Sequence, residues 1–333
     1  MKLHFVFCCI IISFIATTSG LSQKDTCVVL TGSPLNPDSY NTVKKILETY
    51  LDCYVLEVSL ENDQIATADL RNVKFLYWAG GPYFKFNPTS AAAANIRQAV
   101  ARGMGYFGTC GGSLIAVETT PSSRENQLLL FPGHHPFGSG RGMRTYEMNL
   151  AHPVLKNSSL ADSFAVYESI HYNGGGSDFK PAVPGLVNWI VAYDTIRKTP
   201  ALTTTLYGRG RVFLTVAHPE RSFIPGTWKF VQMAAEWCLG RSEPSGNRVP
   251  VIESKIPKSG EKNQPLSFSA EGSNDPDGYP IGFIWDFGDG SDVSYRPVEN
   301  HTYLSKGKYI VTLTVTDGIK ETRVTKKLTI RSN

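Results

Sequence analysis

Gly108-Thr109-Cys110-Gly111-Gly112 is the stretch from which the fold can be read. It is entered through Gly103-Met104-Gly105-Tyr106-Phe107 and leaves as the small, apolar run Ser113-Leu114-Ile115-Ala116, which predicts strand, sharp turn, helix. A side chain at the tip of such an elbow needs a strained backbone and little bulk nearby. Glycines two residues before and two after it meet that need. Cys110 occupies the tip, and the N–H groups and positive dipole end of the following helix favour its thiolate. Cys110 is thus a candidate nucleophile; the competing reading is a small cysteine packed in a tight turn.

Upstream, Cys27-Val28-Val29-Leu30 reads as a buried strand, and Val43, Ile46, Leu47 and Tyr50 follow at helical spacing. Two further strands fit residues 54–58 and 73–78, and an alanine-rich helix fits 90–102, so the order into the elbow is β-α-β-β-α-β. Such alternation predicts a mostly parallel sheet with helices on both faces, its reactive loops beyond the carboxyl ends of the strands. From about 121 to 204 the pattern weakens, with short strands expected at 165–167 and 189–193. A strand at 211–216 and a helix at 227–239 close this region, which spans residues 25–240. Residues 241–247 are polar and rich in helix breakers, as a linker is. Beyond them Leu266-Ser267-Phe268, Ile284-Trp285-Asp286-Phe287 and residues 309–315 alternate with period two, which predicts a small all-β sandwich.

The chain has 333 residues, enough for two cores, and a net charge of +4 that is too small and scattered for a nucleic-acid partner. Residues 1–20 carry Lys2, an apolar core from Leu3 to Ile15 and then small residues, the layout of a cleaved secretory signal. The apolar run is shorter than the ~20 residues a membrane span needs. A secreted or lumenal protein without a transmembrane segment in its mature form is expected. Cys8 and Cys9 leave with the signal, and Cys27, Cys53, Cys110 and Cys238 stay in an oxidising compartment. Cys27 and Cys53 stand at the starts of neighbouring strands, so a disulfide between them is expected. Asn157-Ser158-Ser159 and Asn300-His301-Thr302 are glycosylation sequons.

A thiol nucleophile requires a base and a group that orients the base. His218-Pro219-Glu220, at the end of a strand, supplies both types side by side. Gly80-Gly81-Pro82 follows the strand ending at Trp78 and offers backbone N–H groups for an oxyanion, with Gly81 and Gly111 as donors. His134, His135, His152 and His171 lack the close paired spacing of zinc ligands and read as packing or surface residues. Aspartates 275, 277, 286 and 289 read as solvated turns rather than a calcium site. Neither a metal nor a cofactor is implied.

The order GGP, GxCxG, HPE resembles class I glutamine amidotransferase-like proteins, which implies a flavodoxin-like domain with the triad Cys110, His218 and Glu220. Within that superfamily residues 103–110, Tyr172-Asn173-Gly174-Gly175 and residues 207–212 look most like the biotin-protein ligase N-terminal-domain-like group. Leu114 stands where the glutaminase branch carries Gln, and no synthetase domain is present to receive ammonia, which points away from glutamine itself. Residues 248–331 resemble the PKD (polycystic kidney disease) domain through Trp285-Asp286-Phe287-Gly288-Asp289-Gly290 and His301-Thr302-Tyr303. That resemblance implies an immunoglobulin-like adhesion or spacer module that meets an extracellular protein or carbohydrate. Two functions are carried forward: a secreted cysteine-dependent hydrolase of amide or gamma-glutamyl-type bonds in a small molecule or peptide, and a non-catalytic binding or adhesion protein on the same scaffold.

Overall fold

The computed structural model describes residues 24–81, 88–118, 127–135, 138, 140–174, 178–221 and 223–332. The expected signal segment, with Cys8 and Cys9, and Pro82 lie outside the described residues. β1 (Thr26–Thr31) is buried between its ends because its apolar run has no side fit for water. α1 (Pro37–Thr49) starts where Asn36 Oδ1 accepts the Asp38 N–H at 3.0 Å, and its apolar stripe Val43, Ile46 and Leu47 faces the sheet. β2 (Tyr54–Ser59) pairs in parallel with β1. A turn at Glu61–Asp63 then runs into α2 (Gln64–Thr67), where a direct strand-to-strand step was expected. Parallel strands of one sheet need a crossover, and this short helical segment supplies it. β3 (Val73–Trp78), α3 (Ser90–Arg102), β4 (Gly105–Thr109) and α4 (Gly111–Ala116) follow as the sequence indicates.

Next come β5 (Gly133–His134), β6 (Arg141–Met148), α5 (Pro153–Lys156), β7 (Tyr167–Asn173), β8 (Lys180–Pro181), β9 (Ile190–Asp194), β10 (Thr199–Tyr207), β11 (Gly210–Thr215) and α6 (Trp228–Cys238). The main sheet has nine strands in the order β2-β1-β3-β4-β11-β10-β9-β6-β7. Its first five strands pair in parallel and the rest antiparallel. Right-handed crossovers that leave β1 and β3 in opposite directions place α1, packed with α6, on one face, and α3, packed with α2, on the other. The antiparallel half curls strongly. β7 is four strands from β11, which a flat sheet would set about 19 Å away. Yet the His218 N–H, just past β11, donates to the carbonyl of His171 in β7 at 2.7 Å.

The C-terminal sandwich holds β12 (Ser259–Glu261), β13 (Pro265–Ser269), β14 (Gly282–Asp286), β15 (Val298–Thr302), β16 (Gly307–Thr316) and β17 (Glu321–Arg331). One sheet runs β12-β17-β16-β14 and the other pairs β13 with β15. Phe268, Trp285, Phe287, Tyr303, Leu313 and Val315 form its core, separate from that of the first domain. The domains meet through polar contacts, with Asn157 Nδ2 to Tyr279 Oη at 2.6 Å, Arg211 Nη2 to Gly318 O at 2.9 Å and an Arg209–Glu321 ion pair, and through apolar ones, with the Tyr207 and Tyr295 rings 4.6 Å apart and Val187 packed on the sandwich core. Beside these lies a crevice of about 330 Å³ lined by Glu118, Tyr207, Phe287, Tyr295 and Arg296. Among the described residues no helix is long and apolar enough to cross a membrane.

Candidate active site

Cys110 sits between β4 and α4 with φ +49° and ψ −107°, a conformation side chains rarely adopt. Its N–H donates to Thr215 O at 2.9 Å, which fastens the elbow to the end of β11. The glycines around it are required sterically. A Cβ on Gly108 would lie 2.6 Å from Gly112 O, and one on Gly112 would run into Trp78 O. Tyr106 Oη donates to Gly112 O at 2.7 Å and Ser113 Oγ to Cys110 O at 2.7 Å, so the strained turn is held from both sides. The cysteine is 7% exposed.

His218 leaves the end of β11 and is turned inward by the bond to His171. Its Nδ1 is 2.8 Å from Oε1 of Glu220, which is wholly buried. That same oxygen accepts from Ser39 Oγ in the first turn of α1 at 2.8 Å and from Thr109 Oγ1 at the end of β4 at 3.3 Å. Tyr77 Oη is within 2.9 Å of Thr109 Oγ1 and extends the chain. Burial by itself would push the His218 ring down, but the Glu220 carboxylate and Cys110 outweigh it and hold the imidazole up, at about 10. For Glu220 burial pulls the other way, and the His218 cation with its hydrogen bond keeps the carboxyl below its ordinary value. The two form a buried imidazolium-carboxylate pair. Nδ1 is committed to Glu220, while Nε2 is buried with no hydrogen-bond partner among the described residues.

Gly80 fits a notch between nucleophile and base. A Cβ there would lie 2.6 Å from His218 Cε1 and 3.0 Å from Cys110 Cβ, so the two side chains flank one glycine. A Cβ on Gly111 would lie 2.7 Å from Gly81 O and 3.2 Å from Gly81 N, which sets those two peptides side by side. The Asn36 N–H donates to Gly80 O at 3.1 Å and ties the loop to the start of α1. Cys110, His218, Glu220, Gly80, Gly81 and Gly111, 140 positions apart at the extremes in sequence, are thus neighbours at the carboxyl ends of β3, β4 and β11.

The expected Cys27–Cys53 disulfide is not formed; both are free, buried thiols. Cys27 pairs across the ladder with Val55, so Cys53, two residues earlier, is its diagonal neighbour rather than its opposite. The thiols hydrogen-bond each other, which with burial pushes Cys27 up and, aided by Arg241, draws Cys53 down. Cys238 is buried with its Sγ 3.4 Å from Tyr106 O, and burial raises it strongly. Asn300 is exposed on β15, whereas Asn157 is half-buried and bonded to Tyr279. Burial holds His135 and His152 at about 4, and each hydrogen-bonds a backbone carbonyl. Sequence reasoning did not single out Ser39 or Thr109 as holders of Glu220, nor His171 as a neighbour of His218. Ser39 and Glu220 are 181 positions apart, and no local pattern reports such a contact.

Fold and site together define an α/β domain with a cysteine elbow and a buried His-Glu pair, followed by a β-sandwich. Residues 247–331 match the PKD domain family. The microbial collagenase of Vibrio alginolyticus is 45% identical over 58 residues, which is 17% of this chain and 7% of that protein. The matches to that collagenase and to the collagenases ColQ1 and ColA of Bacillus cereus span a tenth or less of the length of those proteins. Among solved structures, a ThuA-like protein from Bacteroides uniformis is similar at a TM-score of 0.48 and 13% identity, covering 71% of this chain and 98% of its own. A glutamine amidotransferase from Methylobacillus flagellatus is similar at 0.40 and 15% identity, over 65% of this chain and 75% of its own.

Proposed function

We propose that the α/β domain is a cysteine-dependent hydrolase of amide or gamma-glutamyl-type bonds, and that the sandwich places it outside the cell against a protein or carbohydrate partner. The observation that carries the reading is the buried His218–Glu220 pair, whose imidazole flanks Gly80 together with Cys110 and is held up by both the carboxylate and the thiol. In this mechanism Cys110 Sγ attacks the substrate carbonyl. The oxygen of the tetrahedral intermediate is received by the N–H groups of Gly81 and Gly111. His218 Nε2 gives its proton to the departing amine, leaving a thioester. It then takes a proton from water, which attacks the thioester carbon and frees the acid, leaving the thiolate beside the imidazolium as at the start. Glu220 keeps the ring in register and stabilises its cation throughout.

Iodoacetamide tests the pair without knowledge of the substrate. Cys110 is expected to be alkylated near neutral pH at least about tenfold faster than Cys238, and His218→Ala to slow the reaction by a similar factor. Mass spectrometry of tryptic peptides gives both rates. Slow labelling of Cys110 that ignores His218 sinks the hydrolase and leaves the non-catalytic binding protein.

A further inference from the structure

The residue after the triad's glutamate, Arg221, is a cation that the fold, among the described residues, meets only with a long ion pair to Asp38. The Arg221 side chain is 13% exposed, and its Nε is buried without a hydrogen-bond partner among the described residues. Asp38 Oδ2 lies 3.9 Å from Nη1, beyond hydrogen-bond range. A guanidinium drawn out of water in this way is costly unless an anion meets it, and its planar fork suits a carboxylate above all. His171 adds a second unmet group: its Nδ1 is buried and unpartnered among the described residues, and its ring centroid is 6.2 Å from that of His218. Burial, then the His218 and Arg221 cations, push the His171 ring down against the opposing Glu220 carboxylate. Phe223, 64% exposed, stands edge-on to His171 at 5.4 Å and gives the place an apolar rim.

We propose that Arg221 and His171 form a subsite for a carboxylate of the substrate close to the bond Cys110 attacks, so that the enzyme acts on acyl donors carrying a free carboxylate. This rests on the hydrolase reading above. In the bound state Arg221 donates to the carboxylate oxygens, His171 supplies a hydrogen bond from its neutral ring, and Phe223 covers the adjoining methylene groups. A neutral amide of the same shape leaves the guanidinium unmet and binds less well.

Iodoacetate and iodoacetamide differ only in the carboxylate. In either case Cys110 Sγ displaces iodide from the methylene carbon, forming one C–S bond as the C–I bond breaks. In the full-length protein the iodoacetate-to-iodoacetamide rate ratio at Cys110 is expected to exceed that of glutathione by about tenfold or more. His218 also attracts an anion, so variants isolate the subsite. Arg221→Gln is expected to lower the ratio about tenfold while the iodoacetamide rate stays within about twofold, and His171→Asn to lower it less. If Arg221→Gln does not fold, protection of the wild-type thiol against iodoacetamide replaces it, with glutarate expected to protect at lower concentration than glutaramide. An unchanged ratio with iodoacetamide labelling intact, or equal protection by the two compounds, overturns the subsite and leaves the hydrolase standing. Labelling that is slow with both reagents and indifferent to His218 defeats the hydrolase first.

Discussion

Cys110 holds its strained backbone only because nothing with a side chain stands at Gly108 or Gly112. Gly112→Ala would drive a methyl into Trp78 O, the backbone of a central strand that cannot retreat, and is expected to lower stability by about 3 kcal/mol in urea unfolding. The base depends on charge rather than shape. In the wild type the His218 ring should stay protonated up to about pH 10, read by NMR of histidine-labelled protein. Glu220→Gln removes the largest attraction, so the ring should titrate well below that value. The same shift has a stability sign. His218 is raised above its ordinary 6.5, so its contribution is complete below that pH and is lost as pH climbs through about 10. His135 and His152 behave oppositely. Held at about 4, they stay neutral in the fold while the unfolded chain takes protons, so stability is expected to fall between pH 6.5 and 4. Unfolding midpoints across pH 4 to 10 should therefore drop toward both ends, and a profile flat below 6.5 would contradict the burial of those two rings.

At the scale of elements, the site stands on three strand ends and on the first turn of α1, which delivers Ser39 to the carboxylate. Ser39→Ala deletes one of the bonds to a buried charge and is expected to cost about 2 kcal/mol in unfolding while leaving iodoacetamide labelling of Cys110 within a few fold. The parallel half of the sheet was legible in the sequence because β1, β3 and β11 carry apolar runs that stop at a glycine or proline a few residues on. The elbow was legible for the same reason its glycines are needed. In the antiparallel half β9 was legible, as the strand expected at 189–193, but β6 and β10 were not. β6 carries Arg141 and Glu147 on its exposed side and turns Arg144 inward to the buried Asp194, and β10 buries the threonines Thr203, Thr204 and Thr205, so neither shows the hydrophobic signature of a strand. Nor did the chain announce α2, whose four residues are too short to display a helical period. The thiol pair shows a different limit: the neighbourhood of Cys27 and Cys53 was readable, but their diagonal register was not.

For the whole molecule, the two distinct apolar cores, joined by a few polar and ring contacts, imply separable stabilities. A protein ending near residue 241 is expected to stay folded and to melt a few degrees lower than the full chain in calorimetry, because it loses the Tyr279, Gly318 and Glu321 contacts. Aggregation of that shorter protein at room temperature would mean that the sandwich completes the first domain's core. The curl of the main sheet bears on solubility as well as on the site. An outermost strand normally shows a row of unpaired carbonyls and amides to any passing chain and invites edge-to-edge association. In β7 the outward carbonyl of His171 is already taken by the main chain at His218, so the segment that presents the base also shields a sheet margin. Loosening that segment should therefore do more than slow the enzyme: it should expose a sticky edge and make the protein prone to self-association.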